Sequence, residues 1–270
     1  MNTTIHGVSV PVLGFGTWPL TGAAAVAAVT DALAVGYRHL DTARMYRNER
    51  EVGRALRQSG VNRSEVFLTT KIWHTDAEPA RVHRSAEAGL RELDTDYVDL
   101  LLLHWPSDHV TPEQTLEAMF ELQYREKVRH VGVSNFPPRL LERATHVGPI
   151  FCNQVEYHPF LSQQPLLDLC GRKDVLLTAY SPLATGKVHG DATLREIGEA
   201  HGKSPAQVTL RWLIQQPGVA AIPKASTPEH RRGNFDVFDF ELTEAEMGRI
   251  FALDRGERLI NPGFAPQWES

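Results

Sequence analysis

Residues 98–105 read VDLLLLHW, an apolar run closed by a histidine and a tryptophan. A run this short, hydrophobic at consecutive positions, suits a strand buried on both faces of a parallel sheet. Two earlier stretches share its plan, YRHLDTA at 37–43 and EVFLTTKIW at 65–73. Each of the three carries a polar residue at or near its C-terminal end: Asp41, Lys71 and His104.

Working outward, five more runs read as strands: VLGFG (12–16), HVGVSN (130–135), FCNQVEY (151–157), LLTAYSP (176–182) and VAAIPKA (219–225). Amphipathic stretches separate them, which is the pattern of repeated βα units. After Thr21, Val26, Val29 and Leu33 share a face, and Gly36 stops the helix. TPEQ (111–114) and SPAQ (204–207) read as capping boxes with proline at the first helical position, and Thr243 with Glu246 makes a third box.

Eight strands close a (β/α)8 TIM barrel of the α/β class, and barrels of this kind commonly use about 250 residues. The 270 residues are therefore expected to form one domain, 1–270. TTIHGVSVPVLGF (3–15) adds an N-terminal β-hairpin, turning near Gly7, as a plug for the barrel floor. The helix opened by Thr243 is extra to the barrel, and the tail RLINPGFAPQWES has no helical period.

A net charge of −5 gives no electrostatic reason to expect nucleic acid or an acidic membrane as partner. The N-terminus lacks a basic segment followed by an apolar one, and the alanine-rich run at 23–29 ends at Thr30 and Asp31. A cytoplasmic, monomeric protein is expected. Cys152 and Cys170 read as reduced and structural. No HExxH or paired CxxC occurs, so no metal site is expected.

The functional rim of such a barrel is the C-terminal end of its strands. Asp41, Lys71 and His104 should be neighbours there, with Tyr46 just beyond the second strand. A buried lysine needs a carboxylate, and Asp41 is the nearest candidate. Its ammonium then favours the Tyr46 phenolate, which is expected to lower that pKa and make Tyr46 a proton donor. A neutral His104 orients a carbonyl oxygen, and the missing hydride implies a nicotinamide cofactor. Taken singly, Asp41 also reads as a capping residue, Lys71 as a snorkelling lysine and His104 as a core histidine.

At this point the chain resembles the aldo-keto reductases over essentially its whole length. The shared motifs are GFGTW (14–18), LDTARMYRNEREVGRAL (40–56), TTKIW (69–73), LLLHWP (101–106), VGVSNF (131–136), NQVEYHP (153–159), AYSPLATG (179–186) and IPKAS (222–226). The closing GFAPQW is most similar to the bacterial 2,5-diketo-D-gluconate reductases. The resemblance implies Tyr46 as acid in a tetrad with Asp41, Lys71 and His104. It also implies a cofactor cradle of Thr17, Trp18, Asp41, Ser134, Asn135, Gln154, Tyr180, Ser181, Pro182 and Leu183.

Lys224, Ala225, Ser226, His230 and Asn234 match the segment that holds the adenosine end of NADPH. Here the chain departs from the pattern. Ala225 stands where relatives commonly have serine, His230 where many have arginine, and Gly233 where an acidic residue contacts adenine. A histidine cannot make the bidentate phosphate contact of a guanidinium, so use of both NADPH and NADH is expected. Lys224 keeps a point charge, with Arg231 or Arg232 as further candidates from the next turn.

Trp18, Trp73, His104 and Trp105 are expected to wall a substrate site, with Trp268 and Phe264 closing it from the tail. Small and medium aldehydes, α-ketoaldehydes and ketones fit such a wall, and no charged residue stands out to select a sugar acid. GxG at 14–16 lacks the rest of a dinucleotide fingerprint. Two rivals stay open: a Schiff-base aldolase using Lys71 or Lys224, and a non-catalytic nicotinamide-binding protein.

Overall fold

The computed structural model describes residues 1–268. An antiparallel hairpin, β1 (Asn2–Ile5) and β2 (Val8–Pro11), turns at His6 and Gly7, both at positive φ. It precedes eight parallel strands in sequential order: β3 (Phe15–Gly16), β4 (His39–Asp41), β5 (Phe67–Ile72), β6 (Val98–Leu103), β7 (Val128–Ser134), β8 (Cys152–Glu156), β9 (Leu176–Tyr180) and β10 (Val219–Ala221). A parallel bridge from Leu13 to Ala221 closes the ring, with Gly14 N donating to Ala221 O at 2.8 Å. The expected (β/α)8 barrel is present.

Seven of the eight runs read from the sequence contain a strand shorter than the run, while β7 begins at Val128, two residues before its run. Only the backbone inside the ladder pairs, while flanking residues such as Trp73 and Trp105 leave it for the loops.

The closure explains the GxG at 14–16. A Cβ on Gly16 would sit 2.7 Å from Ile222 O, and one on Gly14 would meet His39 and Ile222 side chains at 2.9 Å. These glycines let β3 approach the last strand; they are not a phosphate loop.

Side chains alternate along each strand. Leu101 and Leu103 point out into the shell of helices, where Leu40, Leu68, Val133, Val155 and Leu177 join them. Leu100, Leu102, Phe67, Cys152, Leu176 and Ala220 fill the barrel interior together with Ile5 and Val10 of the hairpin. The hairpin therefore plugs the floor, as expected. The inward parity also carries Asp41, Lys71, His104, Ser134, Gln154 and Tyr180, which lie at the opposite, C-terminal end.

The helices are α1 (Gly22–Val35), α2 (Glu49–Ser59), α3 (Pro79–Leu93), α4 (Pro112–Tyr124), α5 (Pro138–Val147), α6 (Gln164–Lys173), α7 (Ala192–His201), α8 (Pro205–Gln215), α9 (Pro228–Phe235) and α10 (Glu244–Phe251). Gly36 ends α1 at φ 124°, its N–H bonding to Ala32 O and Leu33 O. Ser204 with Gln207 and Thr243 with Glu246 form two of the three expected capping boxes. The third is not made: Thr111 Oγ1 donates to Gln114 Oε1 at 3.3 Å, leaving the first-turn N–H groups of α4 without a side-chain cap.

Helix α10 lies outside the barrel and is tied to α7 by Arg249 to Glu196 at 2.8 Å and His201 to Glu246 at 2.8 Å. Beyond it, residues 254–268 run as irregular chain to the strand ends. Among the described residues no helix is long and apolar enough to cross a membrane. Cys152 and Cys170 are free and buried.

Candidate active site

Strand parity and depth bring the four residues together. Lys71 Nζ lies 2.5 Å from Asp41 Oδ1, 2.9 Å from Thr42 O and 3.3 Å from the Tyr46 hydroxyl. The lysine is 0% exposed and Asp41 1%. Tyr46 reaches the group from the short 3₁₀ turn Arg44–Tyr46 that follows β4. Its ring meets the His104 ring edge-on, with centroids 5.6 Å apart.

Burial alone would drive Lys71 toward its neutral amine, but the Asp41 carboxylate and the Tyr46 oxygen override it and raise its pKa. Burial, the Lys71 charge and His74 hold His104 well below the ordinary histidine value, so its ring is neutral. His104 Nδ1 is buried without a hydrogen-bond partner.

One expectation is corrected here. The Tyr46 pKa is raised, not lowered, because removing the phenol from water outweighs the pull of Lys71 and Asp41 adds to the rise. Lys71 moderates the rise without reversing it.

The neighbouring strand ends form a polar cluster. Gln154 Nε2 donates to Asp41 Oδ2 at 2.7 Å, and among the described residues its Oε1 has no hydrogen-bond donor. Ser134 Oγ donates to Gln154 O at 2.8 Å, Asn135 Nδ2 donates to His104 O at 3.0 Å, and the Tyr180 hydroxyl donates to Asn135 Oδ1 at 2.8 Å. Thr17 Oγ1 is spent on Asp41 O at 3.0 Å. After Tyr180 the chain turns sharply through Ser181, Ala184 and Thr185, all at positive φ, with Pro182 buried and Leu183 half-buried.

Lys224 and His230 are exposed, with Lys224 Nζ donating to Ser226 Oγ at 2.9 Å, while Ala225 and Asn234 are buried. Arg231 corrects a second expectation. It is buried, ion-paired with Asp31, and its Nη1 donates to Ala225 O and Ser226 O, so it braces this loop from beneath and cannot reach a phosphate. Arg232 is exposed.

Aromatic rings surround the tetrad. Trp18, half exposed, tilts over Tyr46 at 5.1 Å, and Trp73 meets His104 edge-on at 5.1 Å. The tail supplies Phe264, which stacks on His74 at 4.3 Å and meets Trp73 and Trp105 at 5.5 Å each. Trp268 packs at 6.3 Å from Trp105.

Three participants escaped the sequence reading: His74, Glu156 and Arg258. Glu156 sits inside one of the shared motifs, yet only the fold shows that its buried carboxylate accepts from Leu259 N at 2.8 Å and Ile260 N at 2.9 Å and so fastens the tail.

A cavity of about 600 Å³ lies at the other end, near Arg38, Phe67, Asp99, Arg129 and Phe238. Asp99 there pairs with Arg129 and with the nearby Arg63, Arg38 donates to Leu33 O and Tyr37 O, and Glu65 accepts from Asn62 Nδ2. Among the described residues no cluster of histidine, cysteine and carboxylates is placed to hold a metal.

Comparison with known proteins agrees with this geometry. The family model "Aldo/keto reductase family" matches residues 12–255. An aldo-keto reductase of Mycolicibacterium smegmatis is 42% identical over 95% of this chain and 94% of its own. A methylglyoxal reductase of Escherichia coli is 39% identical over 94% of this chain and 93% of its own. The crystal structure of a candidate 2,5-diketo-D-gluconic acid reductase B superposes with TM-score 0.97 at 44% identity, covering 100% of this chain and 98% of that one. Matched from the barrel's first strand to the start of its tail, this chain belongs to the aldo/keto reductase family, oxidoreductases that act on carbonyl groups.

Proposed function

We propose that the protein reduces small aldehydes, α-dicarbonyls of the methylglyoxal type and diketo sugar acids such as 2,5-diketo-D-gluconate to alcohols, using NADPH and also NADH. The observation that carries the reading is the Tyr46 hydroxyl 3.3 Å from a sealed Lys71 ammonium that is itself fixed on Asp41. A bound nicotinamide would supply the hydride.

Tyr46 keeps its proton in the resting protein and donates it to the carbonyl oxygen as negative charge develops there. Lys71 lies next to the oxygen that is left and stabilises the phenolate once the proton has gone. His104, neutral, adds an N–H to the same carbonyl oxygen without adding charge. Trp18, Trp73 and Trp105 exclude water from the reacting atoms.

The residues present fit the cofactor. Gln154 Oε1 is open to accept from a carboxamide, while Ser134 and Asn135 stand beside it. Tyr180, tethered by its hydroxyl, offers a flat ring for stacking. Lys224 would meet the 2′-phosphate as a point charge, and with His230 the neighbouring basic position carries no guanidinium.

The aldolase reading loses ground because Lys71, ion-paired and raised in pKa, is not the neutral amine that a Schiff base needs. The test is loss of absorbance at about 340 nm when NADPH or NADH is mixed with methylglyoxal or 2,5-diketo-D-gluconate. Consumption that depends on the carbonyl supports the reading, and none with either substrate or cofactor overturns it. A kcat/KM ratio of about several hundred in favour of NADPH would remove the use of NADH.

A further inference from the structure

Arg258 stands in the tail two residues before Ile260, where the chain is clamped. Glu156, 0% exposed, takes the backbone N–H groups of Leu259 and Ile260 on its two oxygens and His158 Nε2 at 3.1 Å on the first. The clamp places the Arg258 guanidinium 3.6 Å over the ring of Trp268, which packs in turn against Trp105. The guanidinium therefore caps the aromatic wall at its tail side.

That cation is incompletely served. Its Nη1 is buried with no hydrogen-bond partner. Other buried or half-buried arginines are answered: Arg63 holds Asp99, Arg211 holds Glu241, Arg231 holds Asp31, and Arg38 donates to two backbone carbonyls. Glu156 is close enough for its charge to be felt at Arg258, but both its oxygens are already engaged. A half-buried guanidinium with one buried N–H unanswered is costly, and its planar fork is shaped to receive a carboxylate.

We propose that Arg258 recognises a carboxylate on the substrate, so that the site favours keto acids and oxidised sugar acids over neutral carbonyls of similar size. This rests on the carbonyl-reductase reading above. It supplies the charged selector that the sequence did not reveal. Cofactor pyrophosphate is the other anion within the barrel mouth, and Arg258 lies near enough to Tyr180 for their charges to interact, so the test also measures cofactor binding.

The test compares kcat/KM for 2,5-diketo-D-gluconate with that for methylglyoxal in the wild type, Arg258→Met and Arg258→Lys, and measures NADPH Kd by fluorescence. Methionine keeps an apolar stem on Trp268, and lysine keeps the charge. The expected result is a fall of at least about tenfold in the diketogluconate-to-methylglyoxal ratio in Arg258→Met, with Arg258→Lys in between. Equal loss on both substrates, or no difference between the two variants, overturns the proposal and makes Arg258 a support for the tail. A selective weakening of NADPH binding assigns the guanidinium to the cofactor and likewise overturns it. A wild type that reduces methylglyoxal but not diketogluconate defeats the carboxylate proposal alone, whereas a wild type inactive on both defeats the underlying reading.

Discussion

Gln154 Nε2 donates to Asp41 Oδ2 at 2.7 Å, across 113 residues of sequence. The same carboxylate holds Lys71 on its other oxygen, so one buried aspartate joins the side chain proposed to meet the nicotinamide to the cation proposed to aid proton transfer. Gln154→Leu leaves Asp41 Oδ2 short of a donor. The expected cost is about 1–3 kcal/mol of stability by urea denaturation, with weaker NADPH binding by fluorescence titration. A variant as stable as the wild type would show that the bond does not matter.

Lys71→Met removes the partner of a carboxylate that is 1% exposed. Stranding that charge should cost about 3–5 kcal/mol, and reduction should be lost. The double variant Asp41→Asn with Lys71→Met should regain much of the stability and none of the activity. Recovery of turnover in the double variant would mean that the pair only supports the fold.

Tyr46→Phe keeps the ring between Trp18 and His104 and deletes the hydroxyl. Carbonyl reduction should fall by about 10²–10⁴-fold while NADPH Kd changes little. Turnover close to wild type would give the proton donation to another group.

His104 binds its proton less readily in the fold than in the unfolded chain, through burial first and the Lys71 charge second. The unfolded state therefore takes up a proton near pH 6.5 that the native state refuses. This contribution to stability is complete above about pH 6.5 and declines as the solution becomes more acidic. Urea midpoints at about pH 7.5 and about pH 5.5 should differ less in His104→Asn than in the wild type. Equal differences would show that His104 does not couple to folding.

His230 is exposed in the first turn of α9, its backbone N–H capped by Thr227. His230→Arg should raise the NADPH-to-NADH ratio of kcat/KM by about tenfold or more, since a guanidinium can pair with a 2′-phosphate on two oxygens. An unchanged ratio would place the phosphate elsewhere.

The sequence alone was enough for the barrel, because strand burial and helix punctuation are written locally: VDLLLLHW suits a buried strand, and Ser204 with Gln207 or Thr243 with Glu246 can be read as caps three residues apart. It also placed Asp41, Lys71 and His104 at one rim, since period-two alternation sets which side chains face inward. What local pattern does not carry is competition. Whether burial or Lys71 governs the Tyr46 phenol depends on how much water the packed rim excludes, and burial prevails. Arg231 and Arg258 look alike as surface arginines in the sequence. Folding gives one of them Asp31 and leaves the other over Trp268 with an unanswered Nη1, because the partner of a long side chain is chosen by elements that meet only in three dimensions.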